Sequence, residues 1–217
     1  MTDGDTLDPQ KVKKDSERII LAAGGRICDW LPHPDRAAPR SLDQLVGRAL
    51  VMNALLNIAF EAPVSVIRDW TQANSLATHL SSAEQVLLTK RNGELSDQEN
   101  INLYWYIEAL WALMWAGSLI PDLPIDQPVG DTMASLVPNL QEAEGTDKFA
   151  GVMRLRPYGE IYRMLDLYYR AHWFTEDARI NGYATGEISG DVIMERRKAL
   201  EWLMNESINW DNVPLDT

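Results

Sequence analysis

The stretch NLYWYIEALWALMWAGS, which ends at Ser118, has the composition of a helix but no polar side. Upstream, Ser96 and Glu99 have the spacing of a capping box, and Gly117 suits a helix end, so one helix of roughly 20 residues is predicted. A helix that is apolar on every side must be buried on every side. The rest of the chain therefore has to supply the elements that surround it.

A second apolar helix is predicted from PYGEIYRMLDLYYRAHWFTEDARING, which begins at Pro157. Pro157 suits the start of a helix, and the closing Asn-Gly pair suits a left-handed end. No segment shows strand-like alternation of useful length. We therefore predict an all-α fold, a single-domain, orthogonal or bundle-like helical array with two long, largely buried central helices.

The remaining elements are predicted from caps and apolar spacing. Asp8 and Pro9 open an N-terminal helix, and a segment with three prolines, 30–41, follows it as a surface connector. Further helices are expected within 41–60, 65–76, 82–93, 131–140 and 191–206, and an exposed acidic turn within 141–149. The predicted organisation is a polar leader in residues 1–40, with one helix and the connector, and an all-helical domain in 41–217 with an irregular C-terminal tail packed on it.

Two of these helices carry a specific prediction about their start. Ser41 with Gln44, and Ser82 with Gln85, have the spacing of capping boxes. In the helix that Ser41 opens, one apolar stripe is expected to face the core, formed by Leu45, Ala49, Met52, Leu56 and Phe60.

The charge balance limits the classes of partner. Lys and Arg number 20 and Asp and Glu 32, so the net charge is 20 − 32 = −12, a field that repels phosphate backbones and disfavours nucleic-acid binding. The polar start lacks a secretory signal pattern, and the apolar segments fall short of a membrane span. The single cysteine, Cys28, permits no intramolecular disulfide. A cytoplasmic protein is predicted, whose acidic surface could meet a basic protein or simply keep the chain in solution.

Glu108 is the single acid in the stretch NLYWYIEALWALMWAGS, where it lies among tryptophans. A buried carboxyl group with a raised pKa can serve as a general acid. Alternatively, a buried arginine pairs with it, and Arg48 lies in an equally apolar helix. We favour the pair, because buried charges are usually paired and hydrogen-bonded.

The second apolar helix offers the same choice. Asp166 and Arg170 are four residues apart and could bond along the helix, and His172 has Glu176 one turn on. An aspartate, a histidine and tyrosines on one helix could form a proton-transfer site, with Asp166 and His172 as catalytic candidates. A satisfied core histidine is the more common arrangement and the one that we favour.

No cofactor and no metal site is predicted. His33, His79 and His172 are widely spaced, and no two of them stand at the spacing that places two ligands on one helix face. AAGGRI lacks the lysine and the preceding strand of a phosphate loop. The eight tryptophans are expected to fill the core, although part of that surface could line a groove.

Several blocks resemble a known family. RSLDQLVGRALVM, EALWALMWAG, LRPYGEIYRMLDLYYRAHW, VIMERRKALEWL and the ending WDNVPLDT occur in this order and are similar to blocks of a largely bacterial domain-of-unknown-function family, number 4272. The resemblance runs from about Arg40 to Thr217. It implies a helical fold and no particular activity.

The resemblance also implies a set of polar signature positions. They are Arg48, Glu108, Arg156, Asp166, Arg170, Glu195, Arg196, Asp211 and Asp216. Their alternating sign favours an internal network of ion pairs, with the two aspartates of the tail bound to arginines. The competing interpretation is a cleft lined by the same residues, in which Arg48, Arg156, Arg170 and Arg196 would bind a ligand.

Two functions follow from these alternatives. We favour a non-enzymatic binding, adaptor or inhibitor-like protein that offers an acidic surface to a basic partner. The alternative is an enzyme of unknown reaction that uses Glu108 and Asp166 in a cleft, with Arg170 holding an anionic substrate. The enzyme requires those side chains to be exposed in a pocket.

Overall fold

The computed structural model describes residues 7–217, and over that range the chain consists of α-helices, short 3-10 turns and connecting segments without a β-strand. The prediction of an all-α fold is confirmed. Residues 1–6 of the predicted leader lie outside the described residues. The helices are α1 (Pro9–Ala22), α2 (Leu42–Ala59), α3 (Val64–Ala73), α4 (Ser82–Leu87), α5 (Asp97–Tyr104), α6 (Tyr106–Ala116), α7 (Met133–Leu136), α8 (Asp147–Val152), α9 (Tyr158–Asn181) and α10 (Gly190–Met204).

The core is built around α6, in which every residue except Ile107 is buried. α10 packs against both α6 and α9, α2 packs against α6, and α1 packs against α9. This arrangement covers the two apolar helices that the sequence predicts as central. α2 is also buried along most of its length, so it is a third central helix. None of the helices between residues 7 and 217 has the length and apolarity that a membrane crossing requires.

Most predicted helix ends are confirmed. The Asp8 carboxylate accepts a hydrogen bond from the Gln10 amide at the start of α1, and Ser41 with Gln44 forms a reciprocal capping box at the start of α2. α9 ends at Gly182, whose φ of 74° lies in the left-handed region that a residue without a Cβ adopts at low cost. Ser96 and Glu99 form the predicted box at α5.

The predicted cap of α4 is wrong by one residue. The box is formed by Ser81 and Glu84 rather than by Ser82 and Gln85, because Ser82 is already the first helical residue. The difference matters, since the Glu84 side chain is thereby turned into the core, where it is 3% exposed. α4 also ends at Leu87, well before the expected stop at Gly93.

Three further predictions need correction. The single helix of roughly 20 residues is divided at Trp105 into α5 and α6, where the Glu108 amide donates to the Trp105 carbonyl, three residues back. Phe60 follows the end of α2 and is 59% exposed, so it does not continue the core stripe. The acidic stretch expected as a turn contains α8.

The segments outside the helices are held by side chains of the helices. Arg170 donates to the Leu31 and Pro32 carbonyls of the proline-rich connector, and the Tyr162 hydroxyl donates to the Pro34 carbonyl. In the tail, Trp210 is 4% exposed. α1 contributes Val12 and other residues to the same apolar core as α2–α10. The division into a leader (1–40) and a domain (41–217) stays a prediction.

Candidate functional site

Glu108 is paired with an arginine of α10. Its Oε2 lies 2.9 Å from Arg196 Nε and 2.7 Å from Arg196 Nη2, and its Oε1 accepts a hydrogen bond of 3.0 Å from the Val129 amide. Glu108 is 2% exposed and Arg196 is fully buried. The expectation that Arg48 is the partner is wrong, because the carboxylate of Glu84 binds Arg48 instead.

Arg196 also anchors the segment between α6 and α7. Its Nη1 donates to the Pro124 carbonyl at 2.7 Å and to the Tyr168 hydroxyl oxygen at 3.0 Å. That hydroxyl group lies 3.1 Å from the Pro124 carbonyl, and burial raises the pKa of Tyr168 to about 12. The pair of Glu108 and Arg196 therefore holds residues 124–129 against the core.

Arg48 and Glu84 form a second buried pair with two parallel contacts, 2.7 Å and 2.5 Å long. The Tyr106 hydroxyl donates to Glu84 at 2.6 Å, and the Trp210 indole N–H donates to the Tyr106 oxygen at 3.1 Å. Burial opposes the charge of Glu84, yet the adjacent guanidinium group lowers its pKa overall. The chain of contacts connects α2, α4, α6 and the tail through satisfied polar groups.

A third pair lies within α9. Asp166, with no exposed surface, binds Arg170 Nε at 2.9 Å and Nη2 at 2.8 Å. His172 is 5% exposed, and its Nδ1 lies 2.7 Å from Nη1 of Arg197. Burial, followed by the charge of Arg197, lowers the pKa of His172 to about 4, so the ring is neutral at pH 7. Such a weak base does not suit proton transfer at neutral pH.

The remaining signature residues are placed differently from the expected network. Arg197 of α10 holds the tail by donating to the main-chain oxygens of Leu215 and Asp216. The Asp211 carboxylate accepts from the Ala83 amide at 3.0 Å. Glu195 is half-buried and makes no ion pair or hydrogen bond with residues 7–217; burial raises its pKa. The expected arginine partner is therefore wrong for Asp211, whereas Asp216 is bound to Arg197 through its main-chain oxygen.

Arg156 supports the end of α6 instead of lining a cleft. Its Nε donates to the Trp115 carbonyl at 2.7 Å, and its Nη2 donates to the Ile120 carbonyl at 2.9 Å. Glu160 pairs with it at 3.2 Å. The guanidinium group thus satisfies carbonyl groups that the helix end leaves free.

Two of the cavities in the described chain are candidates for binding. The first, which we call the arginine pocket, has a volume of about 260 Å³ and is lined by Arg40, Gln44, Arg48, Thr78, His79, Leu80, Ser81, Ser82, Trp202, Asn209 and Trp210. Three of the blocks that carry the family resemblance meet there, at Arg40 and Arg48, at Trp202 and at Trp210. Of the lining residues, Arg48 alone was predicted from the sequence to bind a ligand, in a cleft shared with Arg156, Arg170 and Arg196 that the fold does not form.

The second, which we call the apolar cavity, has a volume of about 480 Å³ and lies between α2, α6 and the segment 129–141. Its lining includes Leu56, Phe60, Ile107, Met133 and Leu140, with Asp131 as its acidic member. The backbone of Val129 belongs to its wall and is held by Glu108. The buried ion pair is thus a support of the cavity and not a part of its lining.

Two residues of these sites, Glu84 and Arg40, were not predicted from the sequence. Glu84 could have been found, because Ser81 and Glu84 have the same capping-box spacing as the pair that was chosen. Arg40 carries no such signal, because it lies at the end of the proline-rich connector and only the fold brings it against Trp202.

Comparison with known proteins gives one match. The model of the family described as Domain of unknown function (DUF4272) matches residues 26–213 of the 217. The resemblance inferred from the sequence blocks is confirmed over that range. No curated protein and no solved structure matches the chain. Within residues 7–217, no group of three or more His, Cys, Asp and Glu side chains is placed to hold a metal ion.

Proposed function

The chain belongs to the DUF4272 family, and from its own geometry we propose that it is a non-catalytic binding protein that presents an acidic surface to a basic protein partner. The observation that carries the proposal is the distribution of charge. Residues 92–147, the acidic segment, contain ten Asp and Glu and no Lys or Arg, so −10 of the net −12 arises there. Such a concentration attracts a basic surface and repels an acidic one.

Most of these acids are available to a partner. Glu108 is buried in its pair, and Glu99 and Glu144 are half-buried beside Lys90 and Lys148. The other seven are exposed, namely Glu94, Asp97, Asp122, Asp126, Asp131, Glu142 and Asp147. Exposed carboxylates mainly accelerate association and select for partners of opposite charge.

An apolar element adjoins this charge. Phe60, which lines the apolar cavity, makes an edge-to-face contact with Tyr104 of the acidic segment, with the ring centroids 6.1 Å apart. Both rings are exposed, Phe60 by 59% and Tyr104 by 47%. Exposed aromatic groups beside a cavity are typical of the anchor points of protein interfaces. A basic partner with one apolar side chain for the cavity fits this surface best.

The enzyme alternative receives no support from the same geometry. Glu108 and Asp166 are 2% and 0% exposed, and each binds an arginine. A catalytic acid must reach its substrate, and these carboxylates face protein on all sides. As the compartment we propose the reducing cytoplasm, which suits a chain whose only cysteine, Cys28, is a buried free thiol.

A charge-reversal experiment tests the proposal. The triple variant Asp126→Lys, Asp131→Lys, Glu142→Lys changes exposed side chains that make no ion pair in the described chain. The wild type and the variant would be used to capture proteins from native lysate at low salt, and any captured protein would then be purified and titrated directly. We expect a basic protein whose affinity for the variant is at least about tenfold weaker and falls with salt.

The matched control reverses three exposed carboxylates elsewhere, Asp29→Lys, Asp35→Lys and Glu187→Lys. The net charge then changes by the same amount, so a general effect of charge would weaken binding equally in both variants. Equal loss in both, or no captured protein that binds after purification, would overturn the proposal. A loss of affinity in the acidic-segment variant, without a loss in the control variant, would support the proposal.

A further inference from the structure

Arg40 in the arginine pocket is a buried cation without a carboxylate partner. It is 7% exposed, its Nη1 donates to the Glu206 carbonyl at 2.9 Å, and its Nη2 donates to the Ile208 carbonyl. No carboxylate of residues 7–217 forms an ion pair with it, and its Nε is buried without an acceptor. Burial lowers the pKa of Arg40, and the charge of Glu206 opposes that effect in part. A buried charge without a counter-ion destabilises the fold unless another group pairs with it or accepts its hydrogen bonds.

Arg48 adds a second charge to the same pocket. Glu84 neutralises it, but that carboxylate is occupied by Arg48, Tyr106 and the Ser81 amide and does not line the pocket. The Nε of Arg48 is also buried without an acceptor. Arg48 is thus neutralised by its ion pair, whereas Arg40 has no ion pair within residues 7–217.

Tryptophans hold both guanidinium groups in place. Arg40 lies 4.2 Å from the centre of the Trp202 ring, and Arg48 lies 4.2 Å from the centre of the Trp210 ring. Lys198 adds another cation, 4.5 Å from the same Trp210 ring. Stacking against an indole fixes the plane of a guanidinium group, so the donors are oriented before any ligand arrives.

The rest of the lining is mostly polar and contains no acid. Gln44, His79, Ser81, Ser82 and Asn209 contribute groups that can donate hydrogen bonds, and no Asp or Glu lines the pocket. Outside the pocket, Asp211 binds the Ala83 amide, Glu84 binds Arg48, and Glu206 acts on Arg40 without forming an ion pair with it. None of the lining residues belongs to the acidic segment.

We propose that the arginine pocket binds a small anionic ligand through a carboxylate or phosphate group. The cavity of about 260 Å³ has room for such a group and a few further atoms. Arginine in a fixed plane suits both anions, because its N–H groups match pairs of oxygen atoms. The site goes beyond the binding of a basic partner and uses different residues, so either can exist without the other.

The first experiment is a titration of the ¹⁵N-labelled full chain, followed through the Nε–H signals of Arg40 and Arg48 and the indole N–H signals of Trp202 and Trp210. The probes are sodium phosphate and sodium acetate, each compared with sodium chloride at the same ionic strength. We expect saturable shifts of these signals with phosphate, acetate or both, and none with chloride. A response to phosphate alone identifies a phosphate ligand, and a response to acetate alone identifies a carboxylate.

A substitution inside the pocket provides the second arm. Ser82 is exposed and lines the pocket, so Ser82→Glu introduces a carboxylate that competes with the ligand and is compatible with the first turn of α4. Gln85→Glu adds the same charge to the same helix outside the pocket. We expect Ser82→Glu to weaken the anion affinity at least about tenfold and Gln85→Glu by less than about twofold.

Two results would contradict the proposal that the arginine pocket binds an anion. One is the absence of a saturable shift beyond that of chloride in the wild type. The other is an equal response of the wild type and of Ser82→Glu, which would place the anion elsewhere. Signal dispersion of each variant shows that the fold is retained.

Discussion

Within residues 7–217, the three buried acids, Glu84, Glu108 and Asp166, are each paired with one arginine. Glu108, for example, has both oxygens occupied, one by Arg196 and one by the Val129 amide. Removing two charges from water costs several kcal/mol per ion, and only close geometry with further hydrogen bonds offsets that cost. The pair of Glu108 and Arg196 holds the loop of residues 124–129 in position.

The first prediction concerns Glu108. Replacement by alanine leaves Arg196 buried without its counter-ion, so Glu108→Ala should unfold the protein or lower the free energy of unfolding by about 3–5 kcal/mol. Urea unfolding followed by circular dichroism measures the change. Glu142→Ala, at an exposed site, is the control and should change it by less than about 0.5 kcal/mol. An unchanged urea unfolding curve for Glu108→Ala would show that the ion pair is not needed for stability.

Among the helices, α2 packs closely against the turn that precedes α4, with Gly47 in contact with the His79 ring. A Cβ built on Gly47 would lie 2.3 Å from the His79 ring, much closer than any real contact. Gly47 lies in the interior of α2, where glycine lowers helix stability, so packing against His79 is the reason that glycine occupies the site. His79 in turn lines the arginine pocket.

The second prediction follows from this contact. Gly47→Ala should lower the free energy of unfolding by about 1–3 kcal/mol, because overpacking outweighs the gain in helix propensity. Gly151→Ala in α8 is the matched control, since a Cβ there meets nothing within 4 Å. It should be neutral or stabilise by up to about 1 kcal/mol. Thermal unfolding of the two variants decides the point, and equal stabilisation by both would contradict the packing argument.

At the scale of the whole molecule, the C-terminal tail connects elements that are distant in sequence. Trp210 makes edge-to-face contacts with Tyr106 of α6 and Trp202 of α10, with ring centroids 5.9 Å and 6.1 Å apart. It also stacks on Arg48 of α2. The tail is therefore part of the core.

The third prediction tests the role of the tail. Trp210→Ala should lower the free energy of unfolding by about 3–5 kcal/mol, the usual range for a buried aromatic residue. Trp30 is 75% exposed and provides a control in the same residue type. Trp30→Ala should change the stability by less than about 0.5 kcal/mol. Similar losses in both variants, measured by denaturant unfolding, would mean that Trp210 is not a core residue.

The helices could be predicted to a large extent because their signals are local. Asp8, the pair of Ser41 and Gln44, and the Asn-Gly ending of α9 act on backbone groups a few residues away. The burial of Glu108 follows from its apolar neighbours for the same reason. The predicted partner, Arg48, was wrong, because the sequence contains several arginines in apolar surroundings and no local signal chooses among them.

From the sequence one can predict the all-α fold, the caps of most helices and the burial of the two apolar helices, and one can count the excess of negative charge. The tertiary structure alone decided that Arg196 pairs with Glu108, that Glu84 pairs with Arg48, and that Arg40 meets Trp202 without a counter-ion. The physical reason is the range of each interaction. Caps and apolar periodicity act within a few turns of one helix, whereas an ion pair forms between whichever charges the packing of distant helices brings within about 4 Å.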